Sequence, residues 1–481
     1  MRIAARSVLV GTLAVSACSL NPATGRVQAF LISESEEVEL GRKSDEEITS
    51  SMRPLTEAPA LVAKVEEVGA AIAEASERPQ LPWTFRVLDD PAVNAFALPG
   101  GFVYVTRGLL THLNSEAELA GVLGHEVGHV TARHGAVKLR KTNVARRSVG
   151  VFRVVDPGLR HIGGFAAGVA GLALLKYSRD DEYQADDLAL RYVTATGYDP
   201  GGVPEVFAVL AGVAETEGRV PTWLSTHPEP ELRRERVAQK LGTSGLDGPE
   251  PQWVALLEDV VYGTDARDGF MKGQRYIQPR AGFRVELPAE WTAAVEPSGM
   301  VAVSPEDDAL FILGPSDEET AAEALTAFFE ETKLSQGEVW EGKIGGSNVV
   351  TAAFSIKASD GSLTGLVAFA QRGPQVVAMI AAAPDEIWAK QADAIATTVA
   401  SFRPLTEPAL RNVQPTRIKL QTLTAPTTLA ALNASAPSSI PVVELARINH
   451  VEADETMDAG RVVKRVEGFN PNPAPAPESE S

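Results

Sequence analysis

The chain holds one cysteine in 481 residues, Cys18, so no internal disulfide can brace it and its stability must come from burial, aided by metal binding if a site exists. Basic residues are also in short supply: 44 Lys and Arg stand against 63 Asp and Glu, for a formal charge of −19. Nucleic acid is excluded as a partner on that ground, because phosphate binding needs a basic surface. No apolar run reaches the roughly 20 residues that a spanning helix requires; residues 8–15 and 162–175 both fall short. Histidine is scarce, at seven, which makes any close pair informative. What is present is ordinary globular composition, 44% hydrophobic and 22% charged, in a chain long enough for about two to four compact domains.

At the N-terminus, Arg2 and Arg6 precede an apolar run and the small residues Ser16 and Ala17, the order of a secretory signal. With Cys18 next, "VSAC" resembles the lipobox of bacterial lipoproteins. That resemblance implies cleavage after residue 17 and lipid attachment to the Cys18 thiol. Ser19 in place of aspartate is similar to lipoproteins sorted to the outer membrane, so the expected location is periplasmic, lipid-anchored, in a Gram-negative envelope.

Two amphipathic helices follow in "LISESEEVELGRKSDEEI" and "APALVAKVEEVGAAIAEA". "WTFRVLDD", "VNAFALP" and "GFVYVTRG" then read as short strands punctuated by Pro91 and by Pro99-Gly100-Gly101. A helix carrying "GHEVGH" is expected to start at a Ser115/Glu118 capping box and to stop near Gly135. Its apolar stripe, Leu119, Val122, Leu123, Val127 and Val130, places His125 and His129 one turn apart on a shared face, where both imidazoles can reach one ion. Glu126 is offset around the helix, able to act on water at that ion without ligating it. Gly121, Gly124 and Gly128 each cost roughly 1 kcal/mol inside a helix, which calls for close approach of another backbone or of a bound substrate.

Two imidazoles do not complete a catalytic zinc site, which has three protein ligands. "YSRDDEYQADDLAL" offers the third. Ser178 can cap a helix that presents Glu182 to the metal, with Asp186 one turn further on to accept a hydrogen bond from the far nitrogen of a ligating histidine. An acidic helix start is commonplace by itself; beside the histidine pair it becomes a candidate ligand.

"NAFALPGG", "HEVGHVTARH", "YSRDDEYQAD" and "STHPEP" with a downstream arginine occur in the order found in the M48 metallopeptidases. The stretch from about residue 18 to 242 resembles their periplasmic, lipoprotein-anchored branch, which serves quality control of β-barrel assembly. The resemblance implies a mostly helical zincin-type domain and one Zn2+ per chain bound by His125, His129 and Glu182. It also implies Glu126 as general base, Asp186 as the orienting acid, Arg233 at the active site, and polypeptide substrates. His227 has two readings, stabilising the tetrahedral intermediate or plugging the open metal position. Gln184 stands where many relatives have an acid. His134 suits a helix C-terminus, and His112, His161 and His450 show no partner pattern. An extended substrate is expected to align on the strand at Gly100, Gly101, Phe102 and Val103.

Beyond residue 242 the chain alternates strands and helices without a catalytic cluster. "FRVELPAEW", "MVAVSP", "ALFILGP", "VVTAAFSIKA", "LTGLVAFAQ" and "QVVAMIAAA" read as strands of a mostly antiparallel sheet, with helices in "AAEALTAFFEE" and "DEIWAKQADAIATTVASF". The fold class is therefore α+β, divided into a signal peptide at 1–17, a peptidase domain at 18–250, an α+β accessory domain at 265–405, a small unit at 418–468 and a Pro- and Ser-rich tail at 469–481. The small unit resembles a LysM module, which makes peptidoglycan a candidate partner. The expected activity is hydrolysis of misfolded or unassembled envelope proteins. The alternatives are a metal-bearing chaperone or scaffold and a cell-wall binding protein.

Overall fold

The computed structural model describes residues 18–21, 23–25, 27–29, 32–136, 177–217, 222–242, 248–296, 299–358 and 361–469. The signal-like run at 1–17, the apolar run at 162–175, His161 and the tail from 470 lie outside them. No helix among the described residues is long and apolar enough to cross a membrane. The described residues form two compact units: one contains those up to 260 together with 418–466, the other contains 261–417 and 467–469.

The first unit opens with strands β1 (Cys18–Leu20) and β2 (Val27–Ala29), paired antiparallel. Helix α1 (Glu34–Ser51) starts at a full capping box between Ser33 and Glu36. In α2 (Pro59–Glu74), Leu61, Val65, Val68 and Ile72 recur at helical spacing and are fully buried. A three-stranded sheet follows in the order β3 (Thr84–Leu88), β5 (Phe102–Thr106), β4 (Ala95–Leu98), with β3 parallel and β4 antiparallel to the central strand. The turn into β5 needs its glycines. Gly100 and Gly101 have φ of +89° and +103°, and a Cβ at Gly100 would stand 2.7 Å from the Val38 Cα of α1.

Helices α3 (Arg107–His112) and α4 (Glu116–Thr131) come next. Every residue of α4 from Ala117 to Thr131 is buried, so it is the central helix of the unit. Ser115 caps it as expected, accepting from Glu118 N, but the Glu118 carboxylate reaches back to Asn114 N (2.6 Å) instead of Ser115 N, so only half of the anticipated box forms. The helix also ends earlier than Gly135: Ala132 closes it and Arg133 adopts φ +58°. Around it pack α5 (Arg179–Thr196), α6 (Gly202–Glu217), α7 (Thr222–Thr226) and α8 (Pro230–Leu241). The glycines of α4 serve backbone contact. A Cβ at Gly128 would lie 3.0 Å from Ala185 O, one at Gly124 3.3 Å from Ala189 Cα, and one at Gly121 3.1 Å from Gly202 C. Helix against helix, not helix against substrate, is what the small side chains permit.

The second unit contains a four-stranded sheet in the order β16-β8-β7-β6 and a seven-stranded antiparallel sheet in the order β12-β13-β14-β15-β11-β10-β9. The strands are β6 (Phe270–Lys272), β7 (Arg275–Gln278), β8 (Phe283–Glu286), β9 (Thr292–Glu296), β10 (Gly299–Val303), β11 (Leu310–Ser316), β12 (Ser335–Ile344), β13 (Ser347–Ala358), β14 (Gly361–Arg372), β15 (Gln375–Pro384) and β16 (Arg403–Pro404). Helices α9 (Ala321–Thr332) and α10 (Asp385–Ala400) supply apolar side chains to two separate buried clusters, Phe328 to one and Ile395 to the other.

The first unit is completed by the C-terminal segment, in which β17 (Arg417–Thr422) pairs with β18 (Val462–Glu467) around helices α11 (Leu429–Ser435) and α12 (Val442–Ile448). It docks by buried polar contacts at the start of α4. Lys464 Nζ donates to Thr111 O (2.9 Å), Asn114 Nδ2 to Ile448 O (3.1 Å), and His450 Nε2 to His112 O (2.9 Å).

Candidate metal centre

Four side chains converge on the middle of α4. His125, His129, Glu182 and His227 each offer one ligand atom, all within 4.8 Å of one another, and all four residues are buried. His125 Nε2 lies 3.0 Å from His129 Nε2 and 3.2 Å from His227 Nδ1. The Glu182 carboxylate stands 3.5 Å from His125 Nε2, 3.6 Å from His129 Nε2 and 3.0 Å from His227 Nδ1. For a tetrahedral zinc with ligands about 2.0–2.1 Å away, the ligand-to-ligand edge is roughly 3.3–3.4 Å. The measured separations scatter about that edge, and the donor set of imidazoles and a carboxylate is one that zinc takes, so the residues fit the ion.

The geometry follows from local sequence. His125 and His129 share one face of α4 because they are four apart. Glu182 reaches them because α5 starts at Ser178, whose hydroxyl accepts from Asp181 N in a capping box, and because Gly124 and Gly128 let Ala185 and Ala189 approach closely. One turn beyond Glu182, Asp186 Oδ1 sits 3.1 Å from His125 Nδ1. Arg233, fully buried on α8, locks this acid with Nε at 3.0 Å and Nη2 at 2.6 Å, and its Nη1 lies 2.7 Å from Glu182 Oε2.

These contacts set the charges. Burial alone would lower the pKa of His125, and so would Arg233, yet hydrogen bonds to Asp186 and Glu182 lift it to about 9. His129 falls well below its usual range, first through burial and then through the neighbouring His125. Glu182 is held well below the carboxylate range: burial opposes ionisation, but the charges of His227 and Arg233 prevail. Glu182 is thus held as an anion and His129 as a neutral ring, the forms that bind a cation, whereas His125 keeps a proton at neutral pH that a cation would displace.

Glu126 is buried beside the four donors without joining them. Trp223 Nε1 donates to its Oε1 at 3.3 Å, and His227 Nε2 lies 3.7 Å from the same oxygen. Trp223 also stacks on the His227 ring, with centroids 4.5 Å apart.

The sequence pattern missed several members. His134 makes a contact of 2.9 Å from its Nδ1 to His129 Nδ1 and another of 2.9 Å from its Nε2 to Gln184 Oε1. Tyr177 stacks on His129 at 4.0 Å. Trp223 and Tyr177 carried no spacing signal, and His134, five residues beyond His129, is brought back only by the left-handed Arg133.

The expected substrate strand needs correcting. Phe102 and Val103 belong to β5, whose two edges are already paired to β3 and β4, so no further strand can add there. Gly100 and Gly101 serve the turn and the passage of α1. Among the described residues the unpaired edge on this side is that of β4, and Ala97, Leu98 and Pro99 line a cavity together with His129 and Tyr177.

Residues 59–240 match the family model described as Peptidase family M48. The chain carries a metallopeptidase domain of family M48. It is 26% identical over 221 residues to the beta-barrel assembly-enhancing protease of Escherichia coli O157:H7, covering 44% of this chain and 45% of that one. It is 37% identical over 161 residues to the mitochondrial metalloendopeptidase OMA1 of Arabidopsis thaliana, covering 33% of this chain and 32% of that one. The chain thus spans less than half the length of these curated relatives. Among solved structures, PsbP from Synechocystis matches 28% of this chain and 94% of its own at 12% identity, with a TM-score of 0.24, too low to carry a fold argument.

Proposed function

We propose that the M48 domain is a zinc-dependent, zincin-type endopeptidase that hydrolyses misfolded or unassembled polypeptides of the Gram-negative envelope. The observation that carries the reading is the set of donor separations around His125, His129 and Glu182, close to the edge of a tetrahedral zinc site, with Glu126 beside it and outside it. When bound, zinc supplies Lewis acidity that makes water a nucleophile near neutral pH and polarises the scissile carbonyl. Glu126 takes the proton of the attacking water and returns it to the departing amine. Asp186 holds the His125 ring through Nδ1, and Arg233 holds Asp186. An extended substrate adds to the open edge of β4, which brings its backbone past His129.

The relatives' names support the substrate class, and "VSAC" supports lipid attachment at Cys18 and location at the outer membrane. The C-terminal unit with its LysM-like pattern would add contact with peptidoglycan. One observation favours a second reading: His227 Nδ1 occupies the fourth ligand corner, as it would in a closed, substrate-holding scaffold.

The test is cleavage of an unfolded outer-membrane protein by zinc-loaded chain. Glu126→Gln should retain zinc and lose about 100-fold to 10,000-fold in rate, the scale of general acid-base catalysis. Unchanged cleavage in Glu126→Gln would remove Glu126 from the chemistry, and substrate held without cleavage by wild type would put the scaffold in place of the enzyme.

A further inference from the structure

The hydrogen bonds behind His129 have only one self-consistent direction. Gln184 Oε1 can accept but not donate, and it lies 2.9 Å from His134 Nε2. The Asp181 carboxylate, another group that only accepts when ionised, lies on the same side at 3.6 Å from that nitrogen. The Gln184 contact requires His134 Nε2 to carry a hydrogen, and the negative charge of Asp181 favours it there. In the neutral ring, Nδ1 is then a bare acceptor. It faces His129 Nδ1 at 2.9 Å, so His129 Nδ1 must donate and its Nε2 must hold a lone pair. Nε2 is the atom that faces His125 and Glu182.

We infer that Gln184 and His134 form a neutral relay that fixes the tautomer of His129, presenting its Nε2 lone pair to the cation. This deepens the zinc reading and rests on it. His134 is a positioning residue acting through His129, and Gln184 acts through His134. His125 is oriented differently, by the charged pair of Asp186 and Arg233, so the two imidazoles of one helical turn are set by an ionic device and by a neutral one. An amide at 184 accepts a proton-bearing nitrogen without adding negative charge to a buried site that already holds Glu126, Glu182 and Asp186. Tyr177 stacks on His129 with ring centroids 4.0 Å apart and restrains the plane of that ring.

The test uses the full chain with its histidines labelled with 15N, read by long-range proton-nitrogen correlation without metal, and by zinc affinity in competition with a chelator. The metal-free protein should show His129 as the Nδ1–H tautomer and His134 as the Nε2–H tautomer. Gln184→Leu should lose zinc affinity by roughly 10-fold or more, the scale for removing a group behind a ligating histidine. Gln184→Glu, which restores an acceptor, should recover it. Thermal unfolding of each metal-free variant separates loss of fold from loss of the relay. The Nε2–H tautomer at His129, or wild-type zinc affinity in a folded Gln184→Leu chain, would overturn the relay. Those results would leave the zinc reading standing, whereas absence of zinc binding by wild type, with the tautomers as expected, would count against that reading alone.

Discussion

His227 is the residue on which the state of the site turns. Its Nδ1 is 3.0 Å from Glu182 and 3.2 Å from His125, its ring is stacked on Trp223, and it is held in the first turn after α7 by a backbone bond from its N to Trp223 O (2.8 Å). If His125, His129 and Glu182 hold a zinc ion, a side chain so placed stands at its fourth corner, and we propose that it swings away before hydrolysis. His227→Ala is therefore expected to raise kcat/KM on an unfolded protein several-fold at saturating zinc. A drop of 100-fold or so in its place would identify His227 as a stabiliser of the transition state, the scale of a lost oxyanion donor. The convergence of His125, His129 and Glu182 was legible from spacing: i and i+4 imidazoles, and a capped acidic turn. His134 was not, because its approach to His129 depends on the φ of +58° at Arg133, and an arginine gives no hint of a left-handed backbone. Glu182 was legible as a donor, yet the reason it can arrive, the small residues facing it across two helices, became apparent only once α5 was placed.

At the scale of elements, the seam between α4 and α5 sets how the candidate metal donors meet. Gly124 and Gly128 face Ala189 and Ala185, and the helices meet closely enough that even a methyl at 128 would press on Ala185 O. Gly128→Val should cost roughly 1–3 kcal/mol of stability by overpacking. Because Glu182 and Asp186 ride on the displaced helix, zinc affinity should fall at least 10-fold, measured by chelator competition; an unchanged affinity would show that the seam does not position the ligands. Most strands of the second unit follow from apolar runs, alternating in β13 and continuous in β15, which is buried nearly throughout. Strand β12 does not, since Ser335–Ile344 is exposed along nearly its whole length and owes its extended form to pairing with β13. The parallel pairing of β3 with β5 was equally hidden, because two short strands separated by β4 carry no sign of which neighbour each will choose.

At the scale of the whole molecule, the C-terminal segment is built into the same compact unit as the candidate metal centre, over 300 residues away in sequence. His112 lies in that contact, with its Nδ1 on Gly108 O (2.8 Å) and its carbonyl taking His450 Nε2. Burial lowers the His112 pKa from 6.5 to about 4, outweighing the hydrogen bond to Gly108. The unfolded chain binds this proton first as pH falls, so the contribution is present above about pH 6.5 and is lost as the pH drops toward 4. Between pH 6.5 and 5 this group alone should remove about 2 kcal/mol of unfolding free energy. Urea unfolding should show a shallower pH slope in His112→Phe than in wild type, where the buried His450 also contributes; equal slopes would contradict the assignment. This buried docking was invisible in the sequence, where Lys464 and His450 look like ordinary polar residues.

The central claim is that side chains from α4 and α5 hold a single cation. The most direct measurement is zinc per folded chain, by elemental analysis after dialysis against a weak chelator, for wild type and Glu182→Gln. One zinc per chain in wild type, with most of it lost in a folded Glu182→Gln, is the predicted result. Full zinc content in the variant would contradict it.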